Sequence, residues 1–243
     1  MTLTLALGAT GYGAATGALL PRAAYRLTVE PEEPWRDTCP QGHPVTGPLA
    51  GWVGLSRCPD CGTAYGSWAR HTLATALLCG LLALAVGPRP ELAVWLLATP
   101  LWVLLATVDW TVYRLPDTLT LPLALGTPAL LGLAAPLPGS AGHWVTSLLG
   151  GLALGAAYAV LFLINPGGMG LGDVKLALSL GAALGWYGWF LVFLGGFLGL
   201  ALGAVYGLGL LLTRRAGRKS SMPLGPFMIL GTLLTLLLGG LAA

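Results

Sequence analysis

Three aspartates, Asp109, Asp117 and Asp173, each stand at the edge of a long apolar run. An ionisable side chain at the margin of a membrane-spanning segment is a functional-site candidate by default. Asp173 lies in Asn165-Pro166-Gly167-Gly168-Met169-Gly170-Leu171-Gly172-Asp173-Val174-Lys175, an acid among glycines. Glycine lacks Cβ, so a second backbone can approach closely there. Asp173 could simply cap the helix that follows, as Asp does well. Capping alone, however, asks for neither Gly170 and Gly172 nor Lys175, whose charge in a first turn opposes the helix dipole. Asp109 closes its run in Val108-Asp109-Trp110-Thr111-Val112-Tyr113-Arg114-Leu115-Pro116-Asp117. An acid at a helix end also opposes the dipole, which leaves Asp109 either a chemical role or an ion pair with Arg114. Asp117 follows the helix-breaking Pro116 and reads as the N-cap of the next segment.

The other polar residues narrow the chemistry. His43, His71 and His143 form no H-E-x-x-H zinc pair, and no G-x-S-x-G elbow accompanies them. Two carboxylates at a low-dielectric rim remain, and they suit the aspartic mechanism. Close like charges share a proton. One carboxylate takes a proton from water while the other donates to the scissile carbonyl, with no covalent intermediate.

A separate constellation occupies a polar stretch. Cys39-Pro40-Gln41-Gly42-His43 and Cys58-Pro59-Asp60-Cys61 give C-x3-H followed by C-x2-C. Two knuckles with four ligands, Cys39, His43, Cys58 and Cys61, are a structural zinc pattern. A cytoplasmic loop disfavours a disulfide, and unliganded buried cysteines suit poorly a loop with so small a core. Cys79 lies inside an apolar run, where packing is its expected role.

The elements that must carry these residues are hydrophobic helices. Of 243 residues, 56% are hydrophobic and 9% charged, which excludes an ordinary soluble globule. The expected fold is an all-α polytopic membrane protein of about eight spans with a small zinc-knuckle-like loop domain. The spans are Thr2–Leu20, His71–Val86, Leu92–Val108, Leu119–Ala135, Trp144–Ile164, Val174–Trp186 (a short one), Phe190–Leu212 and Phe227–Leu241. Residues 1–20 then form the first helix, 21–69 the Cys/His loop domain and 70–243 a seven-helix membrane domain. The loop is rich in breakers and acids, among them Pro31, Pro34, Pro40 and Pro44. Gly8, Gly11, Gly13 and Gly17 suit close helix contacts in the first span. No cleavable signal is evident. The net charge of +3 gives no reason to expect nucleic acid as a partner; membrane lipid is the expected surrounding.

Charge sets the expected orientation. With the N-terminus outside, only Arg89 among the basic residues falls in an outer loop, as the positive-inside rule asks. All three aspartates then meet the cytoplasmic face.

At this point the chain resembles the type IV prepilin peptidases, membrane aspartic proteases with a GxGD motif. The resemblance rests on Gly170-Leu171-Gly172-Asp173-Val174-Lys175-Leu176 together with Asp109 ahead of Pro116-Asp117. It extends to Gly17-Ala18-Leu19-Leu20-Pro21-Arg22, Tyr25-Arg26-Leu27 and Met222-Pro223-Leu224-Gly225-Pro226-Phe227. It implies that Asp109 and Asp173 are catalytic and that Asp117 is the family's second, non-essential acid. Gly170, Gly172, Lys175 and Asp117 are expected to support the site or the substrate. The resemblance further implies cleavage of a basic leader from prepilins or pseudopilins, after a glycine, at the cytoplasmic side of a bacterial inner membrane. A second implied activity is N-methylation of the new terminus with S-adenosylmethionine. The family carries two C-x2-C pairs in the loop, and His43 replaces a cysteine here. A transporter using the acids as proton or cation carriers is the competing reading; it would place them near the midplane and show repeat symmetry. An inactive peptidase-like scaffold is a third reading, and the intact acid pair opposes it.

Overall fold

The computed structural model describes residues 2–30, 32–214 and 222–243. Pro31 and three of the basic residues used for orientation, Arg215, Arg218 and Lys219, lie outside the described residues. Eight long helices follow one another: α1 (Thr2–Leu27), α2 (Trp68–Val86), α3 (Glu91–Val112), α4 (Asp117–Ala134), α5 (Trp144–Ile164), α6 (Leu171–Trp186), α7 (Trp189–Leu212) and α8 (Gly225–Ala242). Among the described residues there is no strand, only the isolated bridges Thr38–Pro44 and Arg57–Ala64 in the loop after α1.

Seven of the eight helices are long and apolar enough to cross a membrane. The exception is α6, whose 16 residues reach about 24 Å at 1.5 Å per residue, short of a hydrocarbon core of about 30 Å. Its length is tolerable because neighbours cover it. Leu176, Ala177, Ala183, Leu184 and Trp186 have no exposed surface at all, the mark of a helix apolar on every side and buried in the bundle. Close approach of α5 makes this possible: a Cβ on Gly181 would stand 2.5 Å from the Gly150 carbonyl oxygen. Ser147 on α5 also donates to Ala182 O across this contact, at 2.8 Å.

The first helix differs from the expectation. It continues through Pro21 to Leu27 rather than ending at Leu20. Beyond Pro21 the helix turns two arginines, Arg22 and Arg26, into the loop domain, where both are buried. Arg22 donates to Thr46 O and Val53 O and lies over the Tyr65 ring. Arg26 donates to Arg36 O and Ala50 O and stacks on Trp52 at 4.1 Å. Carbonyls and aromatic faces, rather than carboxylates, thus hold the loop domain on the end of α1, and they extend the helix past its proline. Of the four glycines expected to pack, Gly13 and Gly17 meet α2, whereas Gly8 and Gly11 have nothing within 4 Å. Cys79 is fully buried in the core, as expected.

The helices alternate in direction and so define two ends. One gathers the loop domain, the turn after α3 and the glycine-rich link between α5 and α6. At the other, Arg89 donates to Gly240 O and the buried Glu91 accepts from Ala141 N–H.

Candidate active site

Asp109 lies in the last turn of α3 and Asp173 in the first turn of α6. Both are buried, 4% and 7% exposed. They line one cavity of about 360 Å³, together with Tyr113–Leu115, Gly167–Gly172, Met222 and Leu224. Residues from the ends of two helices and from three links therefore converge on the two acids.

Each carboxylate is held by one backbone amide. Gly170 N–H donates to Asp173 Oδ2 at 3.0 Å, and Asp173 N–H returns to Gly170 O at 3.1 Å. This is the backbone half of a capping arrangement, so Asp173 does tie down the start of its own helix while also facing the cavity. Gly225 N–H donates to Asp109 Oδ2 at 2.9 Å. Gly225 is the first residue of α8, and the positive end of that helix faces the acid. The dipole of α8 thereby offsets the unfavourable end of α3 on which Asp109 sits. Among the described residues, neither Oδ1 has a protein partner.

The two glycines of Gly170-x-Gly172 have different work. A Cβ on Gly172 would meet Leu115 Cβ at 2.7 Å and Leu115 O at 3.1 Å. The start of α6 can press against the turn after α3 only because nothing projects there, and this brings Asp173 to Asp109. At Gly170 a Cβ would find ordinary contact, 3.6 Å from Asp173 Oδ2, with φ −92°. Its contribution is an N–H that any residue but proline carries.

The remaining expected site residues separate from the acids. Asp117 is the first residue of α4, with Pro116 in the N-cap position, and among the described residues its side chain bonds no backbone amide of that helix. Instead its Oδ1 accepts from Lys175 Nζ at 2.7 Å, which also answers the unfavourable charge of Lys175 in the first turn of α6. Neither lines the cavity. Arg114 does line it but among the described residues pairs with no acid; it donates to Glu30 O at 3.2 Å, so the Asp109–Arg114 ion pair is not formed. His71 is engaged at both ring nitrogens, with Ser67 O at 2.8 Å and Thr107 Oγ1 at 3.2 Å. His143 starts α5 at the opposite end. Gly225 was the residue that sequence reasoning missed. It lies in Met222–Phe227, yet a backbone donor leaves no trace in residue type.

The Cys/His constellation closes on itself. Ligand atoms of Cys39, His43, Cys58 and Cys61 all lie within 4.8 Å of one another, and all four cysteines of the chain are free thiols. Two matching turns present them: Gly42 N–H returns to Cys39 O and Gly62 N–H to Cys58 O, each glycine at positive φ. Cys39 Sγ and Cys61 Sγ are 3.7 Å apart. A tetrahedral zinc with Zn–S bonds of about 2.3 Å spaces its sulfurs by about 3.8 Å, whereas a disulfide needs about 2.05 Å. The donor set and spacing therefore fit a metal ion. Hydrogen bonds with the Thr63 hydroxyl and backbone lower the Cys61 thiol to about 7, toward the thiolate that a metal binds.

A profile of the type IV leader peptidase family matches residues 95–208, a span containing both cavity acids. A prepilin leader peptidase/N-methyltransferase of Aeromonas salmonicida is 36% identical over 216 residues, covering 84% of this chain and 72% of that protein. A protein of the same name from Pseudomonas aeruginosa is 33% identical over 230 residues, covering 90% of this chain and 75% of its own length. Another, from Pseudomonas putida, is 30% identical over 264 residues, with 95% and 90% covered. No solved structure matches.

Proposed function

The chain belongs to the type IV leader peptidase family, and from that premise we propose that Asp109 and Asp173 form an aspartic peptidase site that removes the leader from prepilins or pseudopilins. The observation that carries this reading is the shared cavity. Two buried carboxylates face it, each fixed at Oδ2 by a glycine N–H and each with Oδ1 free of protein partners among the described residues. A water held between the two free oxygens would lose a proton to one acid as the other protonates the scissile carbonyl. The amide donors keep both side chains oriented without consuming the oxygens the reaction needs. A helix hides its own amides, so the leader junction must unwind to be cut. The non-helical Gly167–Gly170 segment on the cavity wall offers backbone groups to such an extended strand. Gly172 and Gly170 serve the site as described, and Lys175 with Asp117 supports its rim from outside.

The acids lie at helix ends rather than at mid-bundle, which favours a peptidase over a transporter with midplane carriers. The acid-bearing end faces the cytoplasm of a bacterial inner membrane: among the described residues the basic side chains, Arg89 excepted, fall in segments at that end. Cys39, His43, Cys58 and Cys61 would hold zinc, which supplies cross-linking of the loop domain and no group to the acid pair. N-methylation is the second activity named for the relatives, and S-adenosylmethionine would supply its methyl group. Outside the acid pair neither described cavity offers a carboxylate for its sulfonium. The test is mass spectrometry of a prepilin co-expressed with this protein. The expected product lacks its leader and carries one added methyl on the new N-terminus. An intact prepilin would overturn the peptidase reading; a trimmed but unmethylated one would remove the second activity.

A further inference from the structure

A second cavity, of about 510 Å³, opens on the flank of the bundle between α2, α3 and α8. We propose that it seats the apolar helix of the substrate immediately following the cleavage point; this rests on the peptidase reading above.

Four features lead there. First, the groove and the acid site are built on neighbouring residues of two separate elements, although the two cavities share no lining residue. Trp110 in its wall follows Asp109, and Pro226 follows Gly225, the amide that holds Asp109. A chain leaving the acids for the bilayer along this flank passes the end of α3 and the start of α8, the two elements that carry both the site and the groove.

Second, its polarity runs one way. The polar lining is confined to the acid-bearing end, with Arg70 and His71 in the first turn of α2 and Thr107 and Thr111 near the end of α3. Deeper, the walls are Leu78, Val103 and Leu233. A polypeptide cut at a membrane rim has the matching profile: a polar end at the boundary and a flank in hydrocarbon, which must be helical to satisfy its amides.

Third, the length is right for a helix. From Arg70 to Leu78 and from Pro226 to Leu233 each wall runs about two turns, roughly 10–12 Å at 1.5 Å per residue. Ala74 and Ala106 on facing walls keep it wide enough for another helix to lie close.

Fourth, the edge is aromatic. Trp110, Tyr206 and Phe227 form a contacting aromatic trio with ring centroids 5.1–6.0 Å apart. Trp110 nonetheless stays 49% exposed, free to touch a guest. His71, with both nitrogens engaged, belongs to the wall rather than to any reaction.

The test fills the groove and also looks for its occupant. Ala74→Trp places an indole in the groove without touching the acid cavity, and Ala157→Trp on the exposed face of α5 serves as control. Substrates are full-length prepilin in vesicles and a soluble peptide spanning the leader junction but lacking the apolar segment. Ala74→Trp should raise KM for prepilin by about tenfold or more, equivalent to at least about 1.4 kcal/mol of binding, with kcat nearly unchanged. It should leave the short peptide unaffected, and Ala157→Trp should behave as wild type on both. In parallel, a photo-crosslinking residue at Leu78 in the Asp173→Asn background should capture the prepilin helix, and one at Ala157 should not. Wild-type KM for prepilin in Ala74→Trp overturns the proposal. So does equal loss on both substrates, or crosslinking at Leu78 to lipid only. If wild type itself leaves prepilin uncut, the peptidase reading fails instead.

Discussion

Adding one methyl group at Gly172 tests whether the acids are brought together by the close approach of α6 to the turn after α3. A Cβ there would lie 2.7 Å from Leu115 Cβ and 3.1 Å from Leu115 O. Carbon atoms rest at about 3.5–4.0 Å, so α6 and the turn must part by about 1 Å. Leu115 Cβ and the backbone are the obstacles, and neither can swing aside as a flexible side-chain tip would. Parting moves Asp173 away from Asp109, and a misplacement of about 1 Å costs about 10²-fold in rate. The stability cost of such overpacking is about 1–3 kcal/mol, small enough for the bundle to survive. Gly170→Ala is the internal control: its Cβ finds 3.6 Å to Asp173 Oδ2, and its N–H remains. Replacing glycine by alanine at a helix N-cap costs about 1 kcal/mol, with little effect on rate. The assay is initial-rate cleavage of a prepilin in membranes normalised to enzyme amount. Gly172→Ala should fall about 100-fold while Gly170→Ala stays within a few-fold of wild type. Wild-type activity in Gly172→Ala, or the reverse order of the two, would refute the reasoning.

Two further outcomes follow from the same geometry. Asp117→Asn and Lys175→Met each break an ion pair whose side chains are 59% and 30% exposed; such surface pairs contribute about 0–1 kcal/mol, so melting temperature and cleavage should change little, and a dead Asp117→Asn protein would place the pair inside the site. Cys58→Ser with Cys61→Ser removes two of four ligands; metal analysis should show zinc lost, while membranes retain part of the leader cleavage because both cavity acids lie outside the loop domain. Absence of zinc in the wild type would defeat the ligand assignment, and total loss of cleavage in a well-expressed double variant would tie the loop to the peptidase site.

What the sequence made legible was what residue type and run length encode. The long apolar runs gave the helices, the two acids at run ends marked the cavity, and the C-x3-H and C-x2-C spacings marked a cluster whose ligand atoms do converge. What stayed hidden depends on partners distant in the chain. Gly225 holds Asp109 from 116 positions away, through an N–H that every residue but proline shares. Asp117 carries the pattern of an N-cap, yet Lys175 competes for it successfully because α4 and α6 start side by side. Pro21 carries the pattern of a helix stop, yet Arg22 and Arg26 find carbonyls and aromatic faces that keep the helix turning. The shortness of α6 showed in the sequence, but its tolerance comes from burial by neighbours, chiefly α5.

The most direct measurement replaces each cavity acid by its amide and follows a co-expressed prepilin by mass spectrometry, with the membrane level of each variant measured alongside. Asn preserves the shape of the side chain and can still accept from Gly170 or Gly225, but it cannot carry the proton. Asp109→Asn and Asp173→Asn should each accumulate normally and leave the prepilin entirely uncut. Substantial leader removal by either variant would contradict the assignment of the two acids as one catalytic pair.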